Sequence, residues 1–486
     1  MDRPGTSNLG ATDTIGGDGT DAQIKAPSDT RPISKIVAQR IRDAIKPGPD
    51  FDEKPEAFVL ECDLRRILTR ETVQLVLDRI LYKYPDRSVS LDAIFNDTRG
   101  TGRLRILATL LYIGRTKALH EFVSFNIWDD ALPLSKSKAP FVDLEGIWLK
   151  GFVEDQYIFL PQVIDFECMK HKKLRDPIRM PFLNPLVDPE EGAHGVVSKV
   201  RIHKDYQRWG RRTRCKDHYA VKLFKADAVT FQQERDALVR FSHPNKGHES
   251  LIQLLYSYEL RSNKYLIFPC AEWDLENHWA NHEADPRSHA DLIWMLQECY
   301  GIASGLYKVH NHTSWKIGAR ESGSQNKGRH GDIKPKNILF FRDEGDSAGR
   351  LVVADFTLMR FHSSIDTEYT RIRNVGYSRT YRPPEMDASR ATQVSQKYDI
   401  WTLGCVFLEF ITWHLLGPDA VRPSKEGCGR GFVAPDGQVR EDFGTSRLRD
   451  DNTVVRHDKF FNLYHDTPPI VKPSVLKVTS LVSTGV

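Results

Sequence analysis

The chain has 486 residues, of which 40% are hydrophobic and 28% charged, with a net charge of +4. That composition is ordinary for a soluble globular protein of about two to three domains, and so small a net charge gives no electrostatic case for nucleic-acid binding. Seven cysteines stand singly with no CxxC pair or metal-ligand spacing, so reduced thiols and a cytoplasmic or nuclear setting are expected, with no membrane partner. No apolar run approaches the ~18 residues of a membrane span, and the polar N-terminus lacks the apolar stretch of a signal peptide.

Residues 1–30 are rich in Gly, Asp, Thr and Ser, too polar to offset ordering entropy, and are expected to be disordered. From 31 to 175 the pattern is mainly helical. Val73, Val76, Leu77, Ile80 and Leu81 recur at helical spacing, and Leu104, Leu107, Ala108 and Leu111 form a second stripe. Residues 144–160 are less regular. This module shows no catalytic constellation. His120 and Cys62 read as packing or surface residues, and the module reads as an accessory that packs on its neighbour or on a protein partner. Lys170-His171-Lys172-Lys173, Pro177, Pro181 and Pro185 mark a basic, proline-containing stretch, with the linker set at 176–186. A second domain is expected over 187–486.

Gly192-Ala193-His194-Gly195-Val196-Val197 leads into a strand-like run ending at Ile202. Glycines let a backbone approach phosphates closely, although an ordinary strand turn has the same composition. Tyr219-Ala220-Val221-Lys222-Leu223-Phe224 alternates as a strand. Lys222 faces either a site or solvent. Glu234 follows on a helix-like segment as its natural partner. The basic loop Arg208–Arg214 carries Trp209 and reads as a solvated insertion. Tyr265–Phe268 is a buried-strand run ahead of Pro269-Cys270-Ala271.

A buried amphipathic helix over Leu292–Val309 precedes His330-Gly331-Asp332-Ile333-Lys334-Pro335-Lys336-Asn337, and Ile338–Phe341 follows as a strand. The loop between them carries a carboxylate, a lysine and a carboxamide at fixed offsets. Asp332 can accept a proton from a hydroxyl, Lys334 can steady a transferring phosphoryl group, and Asn337 can ligate a metal. Phosphoryl transfer needs those roles and little covalent chemistry. Leu351–Ala354 is an apolar strand ending in Asp355-Phe356-Thr357. Tyr381-Arg382-Pro383-Pro384-Glu385 and the apolar helix opened by Tyr398-Asp399-Ile400-Trp401 come next.

In this order the motifs resemble those of eukaryotic protein kinases of the serine/threonine type, over about 187–475. A helical N-terminal region with His-Gly-Asp in the loop is also similar to kinase-like proteins of filamentous fungi. The resemblance implies an α+β, two-lobed kinase-like fold, with a small antiparallel β lobe and a larger helical lobe. It implies ATP and Mg²⁺ as cofactors and a protein substrate. Asp332 would be the base and Lys334 the phosphate-steadying cation, with Asn337 and Asp355 as Mg²⁺ ligands. Gly192, Gly195, Val197, Ala220, Lys222, Glu234, Phe268 and Cys270 would line the nucleotide site, with Phe268 as the bulky residue behind the hinge.

There are departures. Glu190 stands at the first glycine of the glycine-rich loop, Gly331 replaces the arginine before the catalytic aspartate, and Thr357 replaces the hinge glycine. Without that arginine, activity is expected not to depend on phosphorylating Ser363, Ser364, Thr367 or Thr370. The match decays after about 414, so the large lobe is expected to be shortened at its C-terminal end. That would leave Glu385 without an arginine partner and Val406 and Phe410 poorly covered. The alternative to an active kinase is a pseudokinase that binds nucleotide or scaffolds.

Overall fold

A computed structural model describes residues 32–48, 57–95, 102–135, 143–167, 170–183, 189–192, 195–209, 217–225, 227–242, 247–282, 288–311, 327–342, 348–362, 370–371, 378–387, 393–421, 432–434, 437–464 and 468–484. The stretch 1–30, Ala193 and His194, residues 210–214 of the basic loop, and Ser363, Ser364 and Thr367 lie outside them. The chain divides into two compact units, one of 1–44 with 62–156, the other of 45–61 with 157–486.

The first unit is helical. Helix α1 (Ile33–Asp43) packs on α2 (Arg70–Lys83) and α3 (Leu104–Tyr112), followed by α4 (Leu119–Ser124) and α5 (Ile147–Asp155). Of the α2 stripe, Val73, Val76, Leu77 and Ile80 are buried, but Leu81 is exposed. Helix α3 is apolar almost all round and buried along its length, as expected of a core helix. Its N-terminus is capped by Asp129, which accepts Arg105 N at 2.9 Å and Ile106 N at 3.0 Å. The stretch read as irregular near 144–160 is α5 and a following 3₁₀ turn, Gln156–Phe159. Aromatic packing supports it, with Phe122 and Phe152 rings 5.2 Å apart.

The second unit begins with a seven-stranded sheet. Its strands are β1 (Lys172–Lys173), β2 (Phe182–Leu183), β3 (Glu190–Gly192), β4 (Gly195–Ile202), β5 (His218–Phe224), β6 (Tyr256–Leu260) and β7 (Asn263–Pro269). The order is β1-β6-β7-β5-β4-β2, with β3 also paired to β4. The sheet is antiparallel except for β1, which joins β6 in parallel. The presumed linker therefore supplies an edge strand, β2, and Phe182 is buried in the sheet's core with Phe58, Ile164 and Phe166. Apolar residues on both sides of the predicted boundary draw 45–61 and 157–183 into this unit. Trp209 of the basic loop stacks on Phe166 with centroids 4.4 Å apart, so it is a packing residue.

Helix α6 (Ala228–Ser242) follows β5. The large lobe holds α7 (Leu275–Asn281), α8 (His289–His310), strands β8 (Ile338–Phe341) and β9 (Arg350–Val353), and helices α9 (Lys397–Leu416), α10 (Phe443–Arg449) and α11 (Pro473–Thr484). Helix α8 buries Met295, Ile302, Leu306 and Val309 but leaves Leu296, Tyr300 and Tyr307 exposed, so it is less buried than its composition predicts. Helix α9 is long and apolar enough to cross a membrane, yet it carries the buried Asp399 and Glu409 and lies in the core. Val406 and Phe410 are fully covered, contrary to expectation. Phe410 packs on Trp279, Trp294 and Trp413, and Val471, Val475 and Val478 at the C-terminal end join the same core.

Candidate active site

The hairpin β3–β4 places Gly192 opposite Gly195. A Cβ on Gly195 would stand 2.2 Å from the Leu223 carbonyl oxygen, so this glycine is needed for close approach of β4 to β5. Val197 pairs with Lys222 across β4–β5, and Ala220 pairs with Phe268 across β5–β7. Cys270 follows the end of β7, and burial pushes its thiol pKa up.

Alternation along β5 turns Lys222 toward α6, where its Nζ donates to Glu234 Oε1 at 2.8 Å. The same ammonium is 3.5 Å from Asp355 Oδ1 and 3.2 Å from Thr357 Oγ1. Burial pulls the ammonium's pKa down, but Glu234 and Asp355 outweigh it and leave the group above its ordinary value. Burial pushes the Asp355 carboxyl up, and Lys222, the Thr357 hydroxyl and His330 together hold it well below the usual carboxylate range. Asp355 has φ +63°, in the left-handed region that costs a side-chain-bearing residue strain. The fully buried Phe356 anchors the turn, edge-on to Phe241 of α6 at 5.8 Å and to His330 at 5.4 Å.

The loop after α8 is fixed from below. His330 N and Gly331 N donate to Asp399 at 2.7 Å and 2.8 Å, and His310 Nε2 lies 2.8 Å from the same carboxylate. His330 Nε2 lies 3.1 Å from the Ala354 carbonyl oxygen, and Ala354 N donates to the Asn337 carbonyl oxygen at 2.8 Å. These bonds tie the loop to the segment carrying Asp355. Within the loop, Lys334 Nζ donates to Asp332 Oδ2 at 2.7 Å. Asn337 Nδ2 donates to Asp332 Oδ2 at 2.9 Å and to its carbonyl at 2.8 Å. Asp332 Oδ1 is buried with no hydrogen-bond partner. With its nitrogen committed to Asp332, Asn337 has its carboxamide oxygen left to offer. That oxygen and the ionised Asp355 are the hard oxygen donors Mg²⁺ takes, so the residues fit the metal.

The structure thus forms two bonded groups, Lys222–Glu234–Asp355 and Asp332–Lys334–Asn337. Sequence reasoning missed His310, whose only signal was a polar residue closing an apolar helix. It read Thr357 only as a replacement for the hinge glycine and missed its hydrogen bonds. It also placed the lobe's critical carboxylate at Glu385, which is half-buried. A fully buried ion pair lies instead at Glu409 and Arg447, 2.8 Å apart, and Tyr381 of the Tyr-Arg-Pro-Pro-Glu stretch donates to Glu409 at 2.7 Å.

Residues 191–425 match the family model of the protein kinase domain. Over this stretch, just under half of the chain, the protein is similar to eukaryotic protein kinases of the serine/threonine type. It is similar to mitogen-activated protein kinase 13 of Oryza sativa subsp. indica, 28% identical over 232 residues, which is 47% of this chain and 40% of that protein. It is 27% identical to the probable cyclin-dependent kinase 8 of Dictyostelium discoideum over 241 residues, 48% of this chain and 55% of that protein. Cyclin-dependent kinase 7 of the same organism is 24% identical over 253 residues, 49% of this chain and 58% of that protein. The matched region therefore spans between 40% and 58% of the length of these relatives.

Proposed function

We infer that the protein transfers the γ-phosphoryl group of ATP to a serine or threonine hydroxyl of a protein substrate, with Mg²⁺ as cofactor. The observation that carries this reading is the free oxygen of Asp332: Oδ2 is held by Lys334 and Asn337, while Oδ1 is buried and unpartnered. An entering hydroxyl gives its proton to Oδ1 as its oxygen bonds to the γ-phosphorus, and the bond from that phosphorus to the β,γ-bridging oxygen breaks, releasing ADP. Lys334 stands beside Asp332 to neutralise charge on the moving phosphoryl group, and Lys222, held by Glu234, orients the α- and β-phosphates. Mg²⁺, when bound by Asp355 and Asn337, supplies neutralisation of phosphate charge.

The test is incubation of the purified chain with radiolabelled ATP and a basic protein, followed by phosphoamino-acid analysis. Label on serine or threonine, reduced by at least about 100-fold in D332N, is the expected result. Mg²⁺–ATP binding without transfer would replace this reading by a nucleotide-binding scaffold.

A further inference from the structure

Thr357 stands where the kinase motif ends in glycine, and its hydroxyl oxygen touches three charged groups. It is 2.6 Å from Asp355 Oδ1, 2.7 Å from Glu234 Oε2 and 3.2 Å from Lys222 Nζ. The residue is 1% exposed. A hydroxyl has one proton and two lone pairs. Lys222 is a donor only, so it takes a lone pair. The single proton then serves one carboxylate at a time, Asp355 or Glu234.

The geometry points to Thr357 as a positioning residue that couples the cation-binding carboxylate of Asp355 to the Lys222–Glu234 pair. This rests on the kinase reading above. With no cation bound, the hydroxyl gives its proton to Asp355. When Asp355 Oδ1 is committed to a cation, the proton turns to Glu234 Oε2, which already lies within hydrogen-bond distance. Glu234 is then held at both oxygens, Oε1 by Lys222 and Oε2 by Thr357. Cation binding thereby tightens the hold on the ammonium that faces the phosphates. A glycine has no atom for this link, so the coupling belongs to this chain's own residue.

The experiment uses the full chain as wild type, T357V, T357G and T357S, titrated with N-methylanthraniloyl-ADP with and without MgCl₂. Valine keeps the branched shape and removes the proton; serine keeps the proton. The quantity read is the gain in nucleotide affinity that Mg²⁺ confers. It is expected to fall about tenfold in T357V and T357G, the worth of one hydrogen bond to a charged group, and to stay within about twofold of wild type in T357S. Metal-free affinity is expected to change by less than about twofold in all three. If T357V does not fold, T357G carries the same expectation without added bulk. An unchanged Mg²⁺ gain in the hydroxyl-free variants, or an equal loss in T357S, overturns the coupling. Wild-type protein that binds no nucleotide with or without Mg²⁺ overturns the kinase reading itself, a different result from either.

Discussion

The buried carboxylate of Asp399 accepts the backbone N–H of Gly331 at 2.8 Å. Its other oxygen accepts His330 N at 2.7 Å and meets His310 Nε2 at 2.8 Å. One side chain of α9 thus fixes the backbone immediately before Asp332. A backbone N–H left unpaired in this interior would lose a hydrogen bond with no water to replace it.

Replacing Asp399 by asparagine keeps the shape but turns an NH₂ group toward donors that need an acceptor. Breaking such a buried charged network costs roughly 3–5 kcal/mol. D399N is expected to lower unfolding free energy in urea by that order and to reduce turnover, because Asp332 loses its platform. Wild-type stability in D399N would refute the bracing role.

The same group sets an acid limit. Burial pushes the Asp399 carboxyl up, but His310, His330 and the Gly331 N–H hold it below its ordinary 3.8. With the folded-state pKa below the unfolded one, stabilisation is fully present above about pH 4 and is lost as pH falls through the folded value. Wild-type stability is therefore expected to drop steeply below about pH 4, and the drop should be shallower in D399N, which has no such carboxylate. Parallel acid-unfolding curves for the two proteins would count against this.

Much of the site is legible in the sequence because its chemistry sits in short stretches. Asp332, Lys334 and Asn337 occupy one loop, and a strand's alternation plus a helix twelve residues on bring Lys222 to Glu234. The domain edges are less legible. Lys172, Lys173 and the prolines after them have linker composition, yet β1 and β2 add to the sheet through backbone bonds that side-chain type does not reveal. Arg447 is hidden for another reason. Its partner Glu409 is 38 residues away, and nothing in local periodicity marks a charged residue in an apolar helix as buried.

Arg447 supports a prediction of its own. Its guanidinium bonds to Glu409 and to the Asp458 carbonyl, and lies 4.2 Å from the ring centroids of both Phe443 and Phe460. Burial raises the Glu409 pKa, and Arg447 and Tyr381 oppose that rise. R447M strands a fully buried carboxylate and is expected to cost roughly 3–5 kcal/mol. Adding E409Q should recover a substantial part. A double-mutant cycle by urea unfolding measures this, and additive losses would show that the two groups do not act as a pair.

Lys222 tests the nucleotide side. Its raised pKa keeps it charged throughout the neutral range. K222M removes that charge and leaves Glu234 and Asp355 facing each other without a cation. Turnover is expected to fall by at least about 100-fold, since charge positioning supplies most of the catalysis in phosphoryl transfer. E234Q keeps the lysine and should lose less. Steady-state rates of the two variants decide the order, and an unchanged rate in K222M would remove Lys222 from the site.

Gly331 offers the most local test of the loop. Its φ is +87°, and a Cβ there would lie 3.2 Å from the Leu358 carbonyl oxygen. An L-residue in the left-handed region costs about 1–2 kcal/mol, and the close carbonyl adds to it. The strain has two outlets. Either the Leu358 carbonyl shifts, or φ rotates and pulls Gly331 N away from Asp399. The second outlet is blocked while Asp399 holds the N–H and opens once that carboxylate is gone. G331A is therefore expected to destabilise the wild-type background by about 1–2 kcal/mol and clearly less in D399A, which leaves no side-chain oxygen to hold the Gly331 N–H. Turnover should fall in G331A with a smaller change in KM for ATP, because the loop positions Asp332 rather than the nucleotide. Urea unfolding of the four proteins in the cycle and steady-state kinetics of G331A supply the measurements. Equal costs of G331A in both backgrounds would show that Asp399 does not set the conformation of Gly331.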